Sequence, residues 1–400
     1  MTNRLIVLLG VVCCLLTGNA RPQWHVSAIG GGGYITGLAQ NPHNTQELFA
    51  RSDVGGVFKT TDGGRSWMAV NNGMDWWDQH AVRSVALDTV EPCRVFRAGG
   101  NLIGWQHKGS IHRSVDGGLS WQLVCDSVDY FGNGSTRMCG EMLAIDPTDH
   151  NRIVAGSYSR GLWESQDGGD TWRCIGLRGE RITVVRFCAD GTLYVGTAFD
   201  AAIGNAATIH LCMDYERHLP SRLYVIDGRT PRLIYETDRV AIYDVAVMDD
   251  PRIILLATNR CMMRSTDGGA HFQRVTGLPA AAMYQTVVRS PHHTHRVFTA
   301  RKFSDVDTLR IYVSDNDGAD WHLWSTHAGH AMHEYPSYAT LTNEWLGASI
   351  ACLWPDLQDP QKLYFTNWWG VNVSYDNGYS VYGHYFNGLN ILCAESVLRH

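Results

Sequence analysis

The chain has 400 residues and a formal net charge of −6, with 41 glycines, 14 tryptophans and 17 tyrosines. The weak negative charge argues against nucleic acid or an anionic membrane as partner, since both attract basic proteins. A nearly neutral, aromatic-rich chain suits an uncharged ligand such as a polysaccharide or oligosaccharide. The length exceeds that of one compact ordinary domain and fits a ring of repeated units.

The first twenty residues have the three parts of an export signal. Arg4 makes the N-terminal region positive, Leu5–Leu16 is an apolar stretch of signal-peptide length, and Gly18-Asn19-Ala20 is a small-x-small cleavage site. The apolar stretch is too short to span a bilayer, and no other stretch of that kind follows. We therefore expect a secreted or periplasmic protein whose mature chain starts near Arg21 and keeps no membrane segment.

Six later segments repeat one pattern, Ser/Thr-x-Asp-x-Gly-x-Ser/Thr-Trp or a degenerate version of it. Each repeat, which we call a box, follows a short apolar run and precedes another, so it lies in a hairpin between two strands. There the Asp accepts backbone N–H bonds, the Gly supplies a positive φ, and the Trp folds back as a plug. The boxes occupy residues 60–67, 114–121, 165–172, 265–272, 314–321 and 374–381. They resemble the Asp-box of BNR-type β-propellers.

Strand runs between the boxes divide the chain into units of about 40–55 residues, the period of propeller blades. In chain order the predicted blades are Tyr34–Val70, Val82–Val124, Glu141–Ile175, Ile182–Glu236, Ile242–Val275, Tyr284–Trp324 and Ala348–Phe386. The fourth blade has no box, only a plain turn at Asp227-Gly228. We therefore predict an all-β fold, a seven-bladed β-propeller with Asp-box (BNR-type) hairpins, over residues 21–400.

Two strands are left over by this division. They are Gln23–Val26, which looks like an outermost strand, and Leu389–Leu398, which looks like an innermost one. Either the two close the ring together, or the second opens a further blade.

Several motifs in the first half of the chain are shared with one enzyme family. They are Gly30–Gly37, Ala50–Val57, Gly109–Ser114, Gly140–Pro147 and Gly161–Ser165, with a fainter match at Gly388–Leu392. Through these motifs the chain resembles glycoside hydrolase family 74, the xyloglucanases. The Arg51-Ser-Asp53-Val-Gly-Gly56 segment, beside the glycine run, is the most specific of them. The resemblance implies two seven-bladed propellers that face each other across a glucan-binding cleft.

The same resemblance implies inverting hydrolysis by two Asp residues, of which Asp53 matches the catalytic base. In the family the partner acid comes from the second propeller, beyond the segment that Leu389–Leu398 resembles. Cleavage with inversion needs two carboxyl groups roughly 6.5–9.5 Å apart. We therefore expect this chain to be incomplete as a catalyst, and Asp53 to lie exposed at the propeller mouth with Trp76 or Trp77 near it.

Local chemistry leaves other roles open for the carboxylates. An Asp ahead of a Gly-Gly pair often caps a turn, so Asp53 is alternatively a structural residue. Asp305, Asp307 and Glu334 lie in loops long enough to reach a blade mouth, but exposed loop carboxylates are common and need no catalytic role.

Tryptophans outside the boxes give a second functional signal. Sugar rings present C–H faces that stack on indole, and aromatic side chains line many ligand clefts. The substrate-binding candidates in predicted loops are Trp76, Trp77, Trp105 and Trp345. Packing between blades is the alternative for these four, and it is the better explanation for the box residues Trp67, Trp121 and Trp172.

No metal site and no cofactor are predicted. His327, His330 and His333 recur at every third residue, but they lie in a loop with no helix to put them on one face. The cysteines after the leader are odd in number and contain no Cys-x-x-Cys pair, so neither a zinc site nor a dense disulfide framework is indicated. Cys125 and Cys139 form the one candidate local bridge.

Three classes of function fit these observations. The first is a secreted glycoside hydrolase, or the N-terminal half of one, that takes part in polysaccharide degradation by acting on a β-glucan such as xyloglucan. The second is a non-catalytic propeller that binds a glycan or a protein. The third is a sialidase, which is disfavoured because the Arg-Ile-Pro motif usual in that class does not occur. Fold alone does not choose between the first two.

Overall fold

The structure is a computed structural model. It describes residues 33–103, 106–134, 137, 139–198, 220–228, 230–301, 311–324, 331–333, 350–367, 370–378 and 381–384. Within these ranges the one helical element is a short 3-10 helix, Trp77–His80. None of the helical structure described is long and apolar enough to cross a bilayer.

Seven sheets form a seven-bladed propeller, and the four strands that make up each blade pair antiparallel in chain order. Blade one contains β1 (Ile35–Asn41), β2 (Asn44–Ser52), β3 (Val57–Thr60) and β4 (Met68–Ala69). Blade two contains β5 (Val82–Leu87), β6 (Val95–Gly99), β9 (Ser110–Ser114) and β10 (Gln122–Cys125), with the small hairpin β7 (Leu102–Ile103) and β8 (Gln106–His107) inserted after β6. Blade three contains β11 (Leu143–Ile145), β12 (Ile153–Gly156), β13 (Leu162–Ser165) and β14 (Arg173–Gly176).

The remaining four blades repeat this arrangement. Blade four contains β15 (Ile182–Phe187), β16 (Leu193–Thr197), β17 (Ser221–Ile226) and β18 (Arg232–Thr237). Blade five contains β19 (Ile242–Val247), β20 (Ile254–Thr258), β21 (Met262–Ser265) and β22 (Gln273–Arg274). Blade six contains β23 (Tyr284–Arg289), β24 (Val297–Arg301), β25 (Ile311–Ser314) and β26 (His322–Leu323). Blade seven contains β28 (Cys352–Pro355), β29 (Leu363–Asn367), β30 (Gly370–Ser374) and β31 (Val381–His384), and β27 (Ala331–His333) pairs in parallel with β31 as a fifth strand.

The predicted seven blades are confirmed, and each of the six boxes lies between the third and fourth strands of its blade. Burial falls from the axis outward. The first strands line the axis and are buried along their whole length in β1 and β19, whereas both residues of the fourth strand β4 are exposed. Strands covered on both faces read as continuous apolar runs, which is why the first strands stand out in the sequence.

Blade seven packs directly against blade one, which closes the ring. Gln40 donates from Nε2 to Asp356 Oδ2 at 2.9 Å, and the Tyr364 hydroxyl donates to the Gly63 carbonyl at 3.2 Å. The two left-over strands, Gln23–Val26 and Leu389–Leu398, lie outside the described residues, so their predicted part in closure stays a prediction.

Cys125 and Cys139 are both buried, and no disulfide joins them. The candidate local disulfide is therefore wrong. The spacing of the two residues in the chain suggested a bridge, but Cys125 ends the outer strand β10 while Cys139 lies in the connection to blade three, and each packs in a different apolar cluster.

The boxes share one hydrogen-bond pattern, seen in blade one. The Thr60 hydroxyl donates to Asp62 Oδ1 at 2.7 Å and accepts from the Gly64 N–H at 3.0 Å. Asp62 Oδ1 also accepts from the Ser66 N–H at 2.9 Å. The box therefore ties its hairpin together with backbone donors that would otherwise need water.

The boxes also connect each blade to the one before it. In blade two, Gly118 has φ +87°, and a Cβ there would stand 2.6 Å from the ring of Phe49 in β2. Trp121 of the same box donates from Nε1 to the Val70 carbonyl of blade one at 2.7 Å. Trp67 packs with Tyr364 of blade seven. Packing between blades, the explanation favoured for the box tryptophans, is confirmed for Trp67 and Trp121.

Antiparallel pairing sorts the connections onto two ends of the propeller. One end, the loop face, carries the loops between second and third strands and the connections from blade to blade. The other end, the turn face, carries the turns between first and second strands and all six boxes. The repeated boxes are therefore on one face, and the loops that differ in length from blade to blade are on the other.

We expect Gly118→Ala to destabilise the protein more than Gly117→Ala. Both glycines have positive φ, at +87° and +72°, but the nearest atom to a Cβ at Gly117 is Lys59 Nζ at 3.3 Å, whereas a Cβ at Gly118 would stand 2.6 Å from a buried ring. Overpacking costs typically about 1–3 kcal/mol beyond the backbone penalty, which both variants share. Urea unfolding of the two variants measures the difference, and equal losses would show that the glycine does not set the spacing between blades.

Candidate functional site

The loop face carries Asp53 and the Trp76-Trp77 pair, three of the residues that the sequence marked as functional. Asp53 directly follows β2, and Trp76-Trp77 lie in the connection from β4 to β5. Arg137 and Glu141 lie in the connection from blade two to blade three, on the same face. Five polar and aromatic side chains, from blade one and from the connections that lead to blades two and three, thus share one end of the propeller, with the boxes at the other.

The Asp53 carboxylate lies under this face. Only 5% of the residue is exposed. The Tyr34 backbone N–H donates to Asp53 Oδ1 at 3.1 Å, and Arg137 Nε lies 3.7 Å from Oδ2. The expectation of an exposed carboxylate is wrong, because the segment leading into β1 and the Arg137 guanidinium pack against it.

The turn that follows Asp53 is held by its neighbour Ser52. The Ser52 hydroxyl accepts from the N–H groups of Val54 at 3.3 Å and Gly55 at 3.1 Å, and the Ser52 N–H donates to the Gly56 carbonyl at 3.0 Å. The Asp53 carboxylate instead contacts Tyr34 and Arg137, which come from other parts of the chain. Its side chain therefore joins distant segments rather than capping its own turn.

Gly33 is the part of the glycine run that the structure describes, and it makes room for Asp53. Its φ is +82°, and a Cβ there would stand 3.2 Å from Asp53 Oδ1, 2.9 Å from Ser52 Oγ and 2.8 Å from Val54 Cγ2. Any larger residue would push against the carboxylate and strain the backbone. The glycine thus explains why this motif accompanies the Arg-Ser-Asp segment.

Burial raises the pKa of the Asp53 carboxyl to about 6, against the opposing effects of the Arg137 charge and the Tyr34 N–H bond. A carboxylate whose pKa lies near the working pH accepts a proton more readily than an ordinary Asp does. The group has the acidity that a general base needs.

A second ion pair supports this arrangement. Arg51 donates from Nε and Nη2 to Glu141 Oε1 at 3.1 and 2.9 Å, and from Nη1 to the Arg137 carbonyl at 3.3 Å. The other Glu141 oxygen accepts from the Ser84 hydroxyl. Arg51 therefore pairs with Glu141 rather than with Asp53, and it holds the backbone of the residue that does contact Asp53.

Sequence reasoning missed both Arg137 and Glu141. Glu141 lies in the Gly140–Pro147 motif, which carried the family resemblance without giving the residue a role. Arg137 has no local signal, since no motif surrounds it and its partner is 84 positions away.

Trp76 and Trp77 are prominently exposed, at 68% and 61% of their surface. Beside them a groove of about 310 Å³ runs between the 3-10 helix and blades two and three. Its polar lining residues are Asp78, Gln79, Lys108, Ser110, Asp126 and Arg160. Exposed indoles next to a polar groove match the chemistry that binds sugars, since the ring faces stack and the groove side chains bond to hydroxyls.

The other candidates named from sequence lie outside the described residues. They are Trp105, Trp345, Asp305, Asp307, Glu334, His327 and His330. Within the part of the chain that is described, no group of three His, Cys, Asp or Glu side chains could hold a metal ion.

We expect Asp53→Asn to stabilise the protein at neutral pH. Because the folded-state pKa is raised from 3.8 to about 6, the folded chain retains a proton that the unfolded chain loses, and stability falls as the pH rises through that window. The uncharged amide avoids this loss. At 1.36 kcal/mol per pKa unit, the free energy of unfolding rises by at most about 3 kcal/mol.

Urea midpoints at pH 7.5 and pH 3.5 test this, with exposed Asp227 as the control position (Asp227→Asn). We expect Asp53→Asn to be more stable than wild type at pH 7.5 and not at pH 3.5. A variant that is less stable than wild type at pH 7.5 would mean that the Arg137 contact outweighs burial.

Several known proteins similar to this chain are xyloglucanases. No protein-family profile matches it. The xyloglucanase Xgh74A of Acetivibrio thermocellus is 28% identical over 350 residues, which are 85% of this chain and 36% of that protein. A xyloglucanase from a Paenibacillus species is 30% identical over 273 residues, 66% of this chain and 22% of the relative. The GH74 xyloglucanase of Xanthomonas campestris superposes with a TM-score of 0.73 at 20% identity, covering 92% of this chain and 56% of that one.

Proposed function

We propose, on the premise that this chain is a homologue of the xyloglucanases of glycoside hydrolase family 74, that it is a secreted, glycoside hydrolase-like propeller that binds a β-glucan such as xyloglucan. The loop face is the binding surface. The observation that carries the proposal is the buried Asp53 carboxylate, with its pKa near 6, on the same face as an exposed tryptophan pair.

Each group on the loop face has a chemical task in this proposal. When a second propeller supplies the acid that protonates the leaving oxygen, Asp53 accepts the proton of the water that attacks the glycosidic bond. Arg137 is a positioning residue, since its guanidinium limits how far burial raises the Asp53 pKa. Trp76 and Trp77 supply the flat apolar faces on which glucosyl rings stack, and the neighbouring groove supplies bonds to hydroxyls.

We also propose that the 400-residue chain is incomplete as a catalyst. Inversion needs a second carboxyl group roughly 6.5–9.5 Å from the first, and among the described residues the charged group seen in contact with Asp53 is a cation, Arg137. The chain spans 36% of the length of Xgh74A. A second propeller domain is the partner that we propose would supply the acid.

Replacing both loop-face tryptophans, as Trp76→Ala/Trp77→Ala, should weaken binding of a xyloglucan oligosaccharide about 10- to 100-fold. Losing the contact area of a large apolar side chain costs about 1.5–3 kcal/mol, and each 1.4 kcal/mol is tenfold in affinity. Titration calorimetry on the intact chain measures the change. Leu119→Ala is the control, because Leu119 is 55% exposed on the turn face. Unchanged affinity in the double variant would remove the pair from the binding surface.

The unmodified chain should bind xyloglucan oligosaccharides weakly while hydrolysing them very slowly or not at all. One positioned acid or base contributes about 10²–10⁴-fold, so the loss of the acid removes much of the rate and leaves the stacking contacts in place. Release of reducing ends by wild type, Asp53→Asn and the control Asp227→Asn is the measurement. Rapid hydrolysis that only Asp53→Asn abolishes would show that this chain contains its own acid.

The alternative is a non-catalytic propeller that binds a protein or another glycan. It is distinguished by the same experiments. Absence of any xyloglucan binding, together with no hydrolysis, would favour that alternative over the proposed function.

A further inference from the structure

A second pocket, of about 480 Å³, opens on the turn face, at the end of the propeller opposite to Asp53. Its walls are the turns between the first and second strands of blades five, six and seven. The wall residues are Asp249, Ser290, Pro291, His292, Thr294, Pro355 and Leu357. The volume is within the range of about 300–1,000 Å³ that is usual for small-molecule sites.

The floor of this pocket lies at the axis of the ring. Arg186, Val288 and Trp354 line both the pocket and the axial cavity behind it. That cavity holds only about 40 Å³ of free space, enough for little more than a water molecule. The turn-face pocket therefore narrows towards the axis, and it shares no lining residue with the groove on the loop face.

The charges in the pocket are balanced. Arg186 pairs with Asp244 at 2.8 Å, and Arg289 pairs with Asp249. Arg289 also donates to the Val247 carbonyl at 3.1 Å. Because each guanidinium already has a carboxylate, an anionic ligand would have to compete with an existing ion pair. The pocket is suited to a neutral ligand.

The remaining chemistry is that of sugar recognition. The partly exposed Trp354 indole offers an apolar surface on the floor, where its Nε1 is directed to Gln40 Oε1 at 3.4 Å. Around it stand a carboxylate from Asp249, a hydroxyl from Thr294 and a guanidinium from Arg289, which together accept and donate hydrogen bonds. A sugar ring fits this lining, because its apolar face can lie on the indole and the hydroxyls at its edge can bond to the polar groups.

We propose that the turn-face pocket binds a neutral sugar ring of an oligosaccharide, as a second carbohydrate site independent of the loop face. The site does not rely on Asp53 or on hydrolysis. On a long polysaccharide, two sites on one chain would raise the effective affinity without any further contact, provided the polymer reaches both ends of the propeller.

Filling the pocket tests the proposal. Thr294 is exposed at its wall, so Thr294→Trp should block entry without disturbing the core, and His293→Trp places the same residue on the adjacent exposed position outside the lining. Xyloglucan heptasaccharide and cellotetraose are the probes, titrated against the intact chain. We expect at least one probe to bind at a site whose affinity falls about tenfold or more in Thr294→Trp and is unchanged in His293→Trp.

Fluorotryptophan NMR gives a readout that does not depend on affinity alone. The Trp354 signal, assigned with Trp354→Phe, should shift on titration in wild type and in Trp76→Ala/Trp77→Ala, but not in Thr294→Trp. If Trp354 responds and the Trp76 and Trp77 signals do not, this inference stands and the loop-face proposal fails. If only Trp76 and Trp77 respond, or if no signal responds, the turn-face site is overturned.

Discussion

The contact between the second glycine of a box and the preceding blade is the constraint on which the ring depends. At Gly118 a Cβ would meet Phe49 at 2.6 Å, and at Gly169 it would meet Phe96 at the same distance. Both aromatic side chains come from the second strand of the blade before. Backbone against a buried ring allows little variation in distance, so these two contacts fix the spacing of blade one to blade two and of blade two to blade three.

This constraint acts only on the turn face, and that leaves the loop face free to vary. The residues around Asp53 come from widely separated positions in the sequence and meet because the ring brings blades one, two and three together. Arg51 reaches Glu141, 90 positions further along the chain, and through the Arg137 carbonyl it fixes the segment that contacts Asp53. Loops and ion pairs thus assemble the site on the loop face, whereas the repeated boxes are on the turn face.

The fold could be predicted because each box is local, a few residues that bond to one another. Blade four has no box, and its strand runs between the boxed blades revealed it. The site could be predicted only in part. Asp53 was marked by a motif, and Gly33 explains why that motif includes glycines. The burial of Asp53 depends on Arg137, which no neighbouring residue distinguishes, so an exposed carboxylate was the wrong expectation. The predicted disulfide between Cys125 and Cys139 was wrong for a related reason. The two residues are close in sequence, but they pack in different apolar clusters.

Blade four, with no box, gives the ring one joint of a different kind. Its outer turn contains Gly228, which has no atom within 4 Å of the place where a Cβ would stand. The boundary between blades three and four therefore has no box glycine, but a Cβ at Gly156 of blade three would stand 2.4 Å from Ile182 of blade four. Tyr224 and Ile226 of blade four also share an apolar cluster with blade three. The ring therefore keeps close packing across this boundary without a box, because a contact between inner strands replaces the contact at the turn.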